Sequence, residues 1–216
     1  YAGLSGEEAE KTASFPDAIT YAKKRTACLE RLPRTPEIMK EIIDARTDLG
    51  YFYIRMDYFE KAKDPIESIV SEALKLNSKK RLSQIYTIIG IYKWSVEEDF
   101  PEAFRYLKKA LSVAHEINDI PSLRFSNYWI GVASSFVCEF ENALTNFREA
   151  LDIAVATNSL WDVSVIIPTC LPVNDIALNP RSLLATCIPP TWLPGMPENW
   201  QVGPEGRNRR LSWRSS

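Results

Sequence analysis

A chain of 216 residues, 45% apolar and 25% charged, can bury a real core and has the make-up of a globular protein. Its net charge of −2 and pI near 5.6 give no global reason to expect nucleic acid or a membrane as partner. No run approaches the roughly 18 apolar residues of a membrane span. Cys28, Cys138, Cys170 and Cys187 form no Cys-x-x-Cys unit, so they read as small buried hydrophobes of a reducing compartment, the cytosol.

Tyr1-Ala2-Gly3 has neither an initiator Met nor a signal pattern, as expected of a fragment of something longer. Residues 1–34 are expected to hold a partial repeat: Pro16 suits a first helical turn, and Ala18, Tyr21 and Ala22 start an apolar face that Arg25 interrupts. Pro33 and Pro36 break the chain. Thr35-Pro36-Glu37 then supplies a capping hydroxyl, a first-turn proline and a first-turn acid, predicting a helix to about Met56. Asp57-Tyr58-Phe59-Glu60 offers the next cap, and Pro65 should kink the helix that follows. Lys79, Lys80 and Arg81 open another helix against its dipole and read as a solvated face. Asp99 with Pro101, and Asp119 with Pro121, start two more helices. Residues 127–154 then read as two amphipathic helices joined by a turn at Cys138–Phe140.

A signature recurs through this region. Gly131 is followed by Ala143, Phe147 and Ala150; Gly90 by Ala103, Leu107 and Ala110; Gly50 by Ala62, Ile66 and Ile69. The glycines are 40 and 41 residues apart, and one extra residue in the turn 96–100 accounts for the longer spacing after Gly90. A small residue on each helix lets two helices approach closely. A lone hairpin cannot bury its apolar faces, so such units stack. The expected fold is all-α: an α-solenoid of antiparallel helix pairs, with three repeats over residues 35–158.

After Trp161 the composition changes. Eight of the 14 prolines lie in 163–216, a stretch with no lysine, five arginines and three acids. A fourth repeat would begin here, but Pro168 and Pro172 should cut short the helix begun at 163–167. Residues 159–216 are therefore expected to be a largely irregular tail without packed contacts. It is either a proline-rich extension that a partner could read or, as the abrupt break favours, a stretch outside the ancestral reading frame.

The Gly…Ala…aromatic-or-aliphatic…Ala order over residues 37–157 resembles the tetratricopeptide repeat, in a form longer than the usual period of about 34. It departs from that family at Lys93 and Ser134, where an aromatic is usual, and at Ile69, where alanine is. Tyr1-Ala2-Gly3, Asp17–Tyr21, Leu29–Pro33 and Ile43–Arg46 are similar to the repeat region that follows the ATPase module of large bacterial signalling proteins, often headed by a class III adenylate/guanylate cyclase domain. That resemblance implies a regulatory, partner-sensing segment; neither the cyclase nor the nucleotide site is in these residues.

No enzymatic constellation emerges. His115 has no partners at catalytic or zinc-ligand spacing, and no glycine-rich phosphate loop is present. Glu97-Glu98-Asp99 reads as solvation and helix capping, and Trp94, Trp129 and Trp161 as packing between repeats. Arg207, Arg209 and Arg210 fall in the irregular tail and are not read as a nucleic-acid site.

What remains is surface shape, since the first helix of each pair lines the inner face of a superhelix. Residues one and five after each glycine should look inward: Tyr51 and Arg55, Ile91 and Ser95, Val132 and Phe136. Those three and six before should join them: Thr47 and Asp44, Thr87 and Gln84, Tyr128 and Phe125. The expectation is a non-enzymatic scaffold without metal or cofactor, whose groove takes a protein or peptide partner and neither nucleic acid nor membrane. The alternative is a regulatory piece of a nucleotide-dependent signalling enzyme whose catalytic part precedes Tyr1. An uncapped solenoid end could also drive self-association.

Overall fold

The computed structural model describes residues 15–177, and every regular element among them is a helix. In chain order these are α1 (Phe15–Leu29), α2 (Pro36–Arg55), α3 (Phe59–Glu67), α4 (Val70–Lys75), α5 (Lys79–Ser95), α6 (Phe100–Ile117), α7 (Ile120–Phe136), α8 (Phe140–Ala156) and α9 (Leu160–Ala177). Successive helices pack on one another except the short α3 and α4, which both pack on α2 and α5; α2, α5 and α7 also lie side by side, so the helix pairs stack as an α-solenoid.

The starts follow from capping. Thr35 Oγ1 accepts from Ile38 N (3.3 Å), Asp99 Oδ1 from Glu102 N (3.1 Å) and Asp119 Oδ2 from Ser122 N (3.2 Å). Asp57 does not cap α3. It adopts the left-handed conformation (φ 57°), and Tyr58 takes the cap position without a side-chain hydrogen bond. That pattern is general. Asp57, Asn77, Glu98, Asn118, Cys138 and Asn158 all have φ between 49° and 61°, and each stands two residues before the first residue of the next helix. The N–H groups of all of them but Glu98, and those of all six successors, return to carbonyls of the helix just ended, as at Cys138 N to Ser135 O (3.3 Å) and Glu139 N to Ser134 O (2.9 Å). These positions recur every 20 or 21 residues, half the sequence repeat. None is glycine, which is why the half-period is invisible to a search for turn glycines.

The repeat glycines do what their spacing predicts. A Cβ on Gly50 would meet Ile66 Cδ1 at 2.9 Å, on Gly90 it would meet Leu107 Cγ at 2.7 Å, and on Gly131 Phe147 Cδ1 at 2.7 Å. Opposite them, Ala62, Ala103 and Ala143 are fully buried. Gly90→Ala forces a branch carbon aside with the carbonyl of Ala103 only 3.1 Å away. Overpacking of that kind costs about 3 kcal/mol against about 1 gained in helix propensity, so a net loss of about 2 kcal/mol is expected in urea unfolding. Gly50→Ala should lose less, because it meets first the flexible end of Ile66.

Cys28 and Cys138, expected to be buried, are exposed. Pro65 sits inside α3, and the helix breaks beyond it, at Ser68–Ile69, where Ile69 N bonds Ile66 O (3.0 Å). The irregular tail expected from residue 159 is also corrected, since α9 runs from Leu160 through Pro168 and Pro172 to Ala177. A helix-interior proline costs about 3 kcal/mol, but packing opposes it here. Ile166 is 2% exposed and shares a cluster with Ala150, Leu151 and Ala154 of α8, joined by Val163, Ile167 and Cys170. Residues 178–216, with the tail arginines, and residues 1–14 lie outside the described residues.

Candidate partner-binding groove

The inner face encloses a cavity of about 520 Å³ bounded by α1, α2, α5, α7 and α9. One wall is aromatic: Tyr51 and Phe52 from α2 face Phe125, Tyr128 and Trp129 from α7. Tyr51 and Phe125 meet across the cavity with ring centroids 5.1 Å apart. The ionic part of the lining is built in two groups.

In the first group, Asp44 and Asp48 stand one turn apart on α2. Arg81 of α5 donates to both, at 2.6 Å and 2.7 Å, and also to Gln84 Oε1 at 2.9 Å. Arg25 of α1 reaches Asp48 (3.1 Å) and Glu41 (2.7 Å) from the other side. The interruption of the α1 apolar face is thus an ion pair, and Arg81 is not a solvated charge. Burial pushes the Asp48 carboxyl above its ordinary value, while Arg81 and Arg25 pull it down. For Arg81, burial acts downward, but Asp48 and Asp44 outweigh it and hold the guanidinium above its usual range. Both partners therefore rise. The carboxylate's direction is the consequential one, because only Asp48 titrates at a pH where the protein can be studied.

In the second group, Asp162 of α9 accepts from Arg55 of α2 (3.2 Å) and forms an ion pair with Arg124 of α7 (2.9 Å). The three side chains are 12%, 14% and 17% exposed, respectively, and Ser159 Oγ also donates to Asp162. Arg55 lies over the rings of Phe15 and Tyr51 as well. Nearby, the Tyr128 hydroxyl is 3.3 Å from Thr169 Oγ1, and burial raises its phenol despite that contact.

The residues expected to look inward divide. Tyr51, Arg55, Gln84, Phe125 and Tyr128 line the cavity, and Asp44 stands behind it on Arg81. Thr47, Thr87 and Ile91 do not line it, being fully buried between helices. Thr47 Oγ1 donates to Ile43 O (2.7 Å), and Thr87 pairs with Ser126 Oγ (2.9 Å) across α5 and α7. Val132 is buried too, and Ser95 bonds its own helix at Ile91 O (2.7 Å). Phe136 is 63% exposed outside the cavity, its ring 4.8 Å from that of Trp94. A helical face three to six residues wide covers both an inner surface and an inter-helix seam, and spacing alone does not separate them.

Trp94 and Trp129 pack between helix pairs, 6.2 Å apart, with Phe59 against both. Trp129 Nε1 and Ser122 Oγ, both from cavity-lining residues, are buried without a hydrogen-bond partner. His115 is exposed on α6. Among the described residues no three His, Cys, Asp or Glu side chains group as metal ligands. No helix among them is long and apolar enough to cross a membrane.

No protein-family model matches the chain, and no curated protein matches it. Among solved structures, BtubC (BKLC) from P. vanneervenii is similar, with a TM-score of 0.52 and 12% identity, covering 100% of this chain and 86% of that one. At that identity the likeness is one of fold alone.

Proposed function

We propose that this chain is a non-enzymatic interaction scaffold of tetratricopeptide type, holding a peptide or partner helix in the groove on its inner face. The observation that carries this reading is the cavity of about 520 Å³, walled by five aromatic side chains and rimmed by paired arginines and aspartates. Its volume lies within the range of ligand sites, which accept a few side chains in a mainly apolar enclosure with a small number of orienting polar groups. Tyr51, Phe125 and Gln84 come from three different helices, so a bound segment would be read by the solenoid's curvature and not by one element.

A displayed library of random 12-residue peptides, selected on the immobilised full chain, tests it. Selected peptides should bind the wild-type chain, and Tyr51→Ala should weaken them at least tenfold, as truncation of a central aromatic anchor does. Gln84→Ala should act in the same direction with a smaller loss. Selection that yields no binder, or binders indifferent to both substitutions, would remove the groove reading.

A further inference from the structure

In a simple solenoid each repeat touches only its neighbours. Here two inner-face contacts skip one repeat or more. Tyr51 of α2 meets Phe125 of α7 across α5, and Arg55 of α2 reaches Asp162 of α9, 107 residues along the chain. The helices these join are not packing neighbours: α9 packs on α8 and α7, and α2 on α1, α3, α4 and α5. We propose that Asp162 is a latch that holds the superhelix in a closed form across its own groove, and that its release widens the cavity.

The chemistry suits a reversible closure. Asp162 is shared by two guanidiniums, Arg55 and Arg124, one on each side of the cavity. All three side chains are largely buried, so the bridge is screened little by salt and is worth more than a surface pair. Against it stands the cost of taking three charged side chains out of water, which in a buried bridge can approach the Coulombic gain, and that near-balance is what a two-state element needs. Opening need not disturb the rest, because the apolar seat of α9, where Ile166 packs on Ala150, Leu151 and Ala154, lies on α8.

The bearing of this latch on partner binding rests on the groove reading above, but the opening does not, and it is tested without a partner. Arg55→Gln and Asp162→Asn cut the same bridge from opposite ends. Small-angle scattering and amide exchange by mass spectrometry are run on the full-length wild type and both variants. The expected result is a larger radius of gyration in both variants, with exchange about tenfold or more faster in 120–129, at unchanged helix content. Faster exchange confined to 160–170 and seen only with Asp162→Asn would overturn the proposal, leaving Asp162 as a cap of α9 beside Ser159. A Ser159→Ala variant that reproduced the full effect would overturn it in the same way. Two folded variants with wild-type scattering and exchange would show that the bridge is incidental.

Discussion

Ending the chain at Ser159 lowers the unfolding free energy by about 3–6 kcal/mol. The loss has two sources. Burying one isoleucine, here Ile166, contributes about 1.5–3 kcal/mol, and a charge-assisted bridge such as that of Asp162 contributes about the same. Removing α9 also uncovers Leu151 and Ala154 on α8, so amide protection should fall across Phe140–Ala156. Urea unfolding followed by circular dichroism measures the first effect and hydrogen exchange the second. A chain ending at Ala177 is the control that isolates the share of α9. Equal stability of the chains ending at Ser159 and Ala177 would mean that α9 is not part of the cooperative core.

Arg81→Ala costs about 2–3 kcal/mol at pH 7, below the 3–5 kcal/mol of a fully buried pair because the side chain is 20% exposed. The substitution strands Asp44 and Asp48 one turn apart with only Arg25 to balance them. The pH dependence carries the distinctive signature. Asp48 already lies above its ordinary value through burial, so the native state there holds its proton more tightly than the unfolded chain. Such a group favours the native state below its unfolded value, and that contribution is lost as pH rises through the folded value. Without Arg81 the folded value climbs further. The stability gap between variant and wild type should therefore shrink as pH falls from 7 toward 4. A gap that stays constant on acidification would show that Arg81 stabilises by packing its stem, not by its charge.

How far the sequence announces this structure depends on which residues are asked. Gly50, Gly90 and Gly131 with Ala62, Ala103 and Ala143 place the helix pairs correctly, because close approach needs small residues and little else fits. Thr35, Asp99 and Asp119 mark helix starts for the same local reason. The 20-residue rhythm of turns is hidden, since Glu98 and Cys138 adopt a left-handed backbone that their side chains do not advertise. Helix α9 is hidden as well. Its prolines are local signals, whereas Ile166 and Asp162 find their partners only once the solenoid exists. Charge reads worst of all. Arg25 and Arg81 look like a flaw and a solvated cluster until Asp48, on a third helix, stands between them. Among expected groove residues, the seam positions Thr47, Thr87 and Ile91 differ from Tyr51 and Gln84 by a rotation of about one residue in a helical turn, a difference that tertiary packing alone decides.

The most direct test of the scaffold account is amide exchange by mass spectrometry on the full chain, with and without a peptide selected on it. The account predicts new protection at Tyr51–Arg55 on α2, around Gln84 on α5 and at Phe125–Trp129 on α7, with α6 and α8 unchanged. Protection gained on α6 or α8 and absent from the inner helices would contradict it.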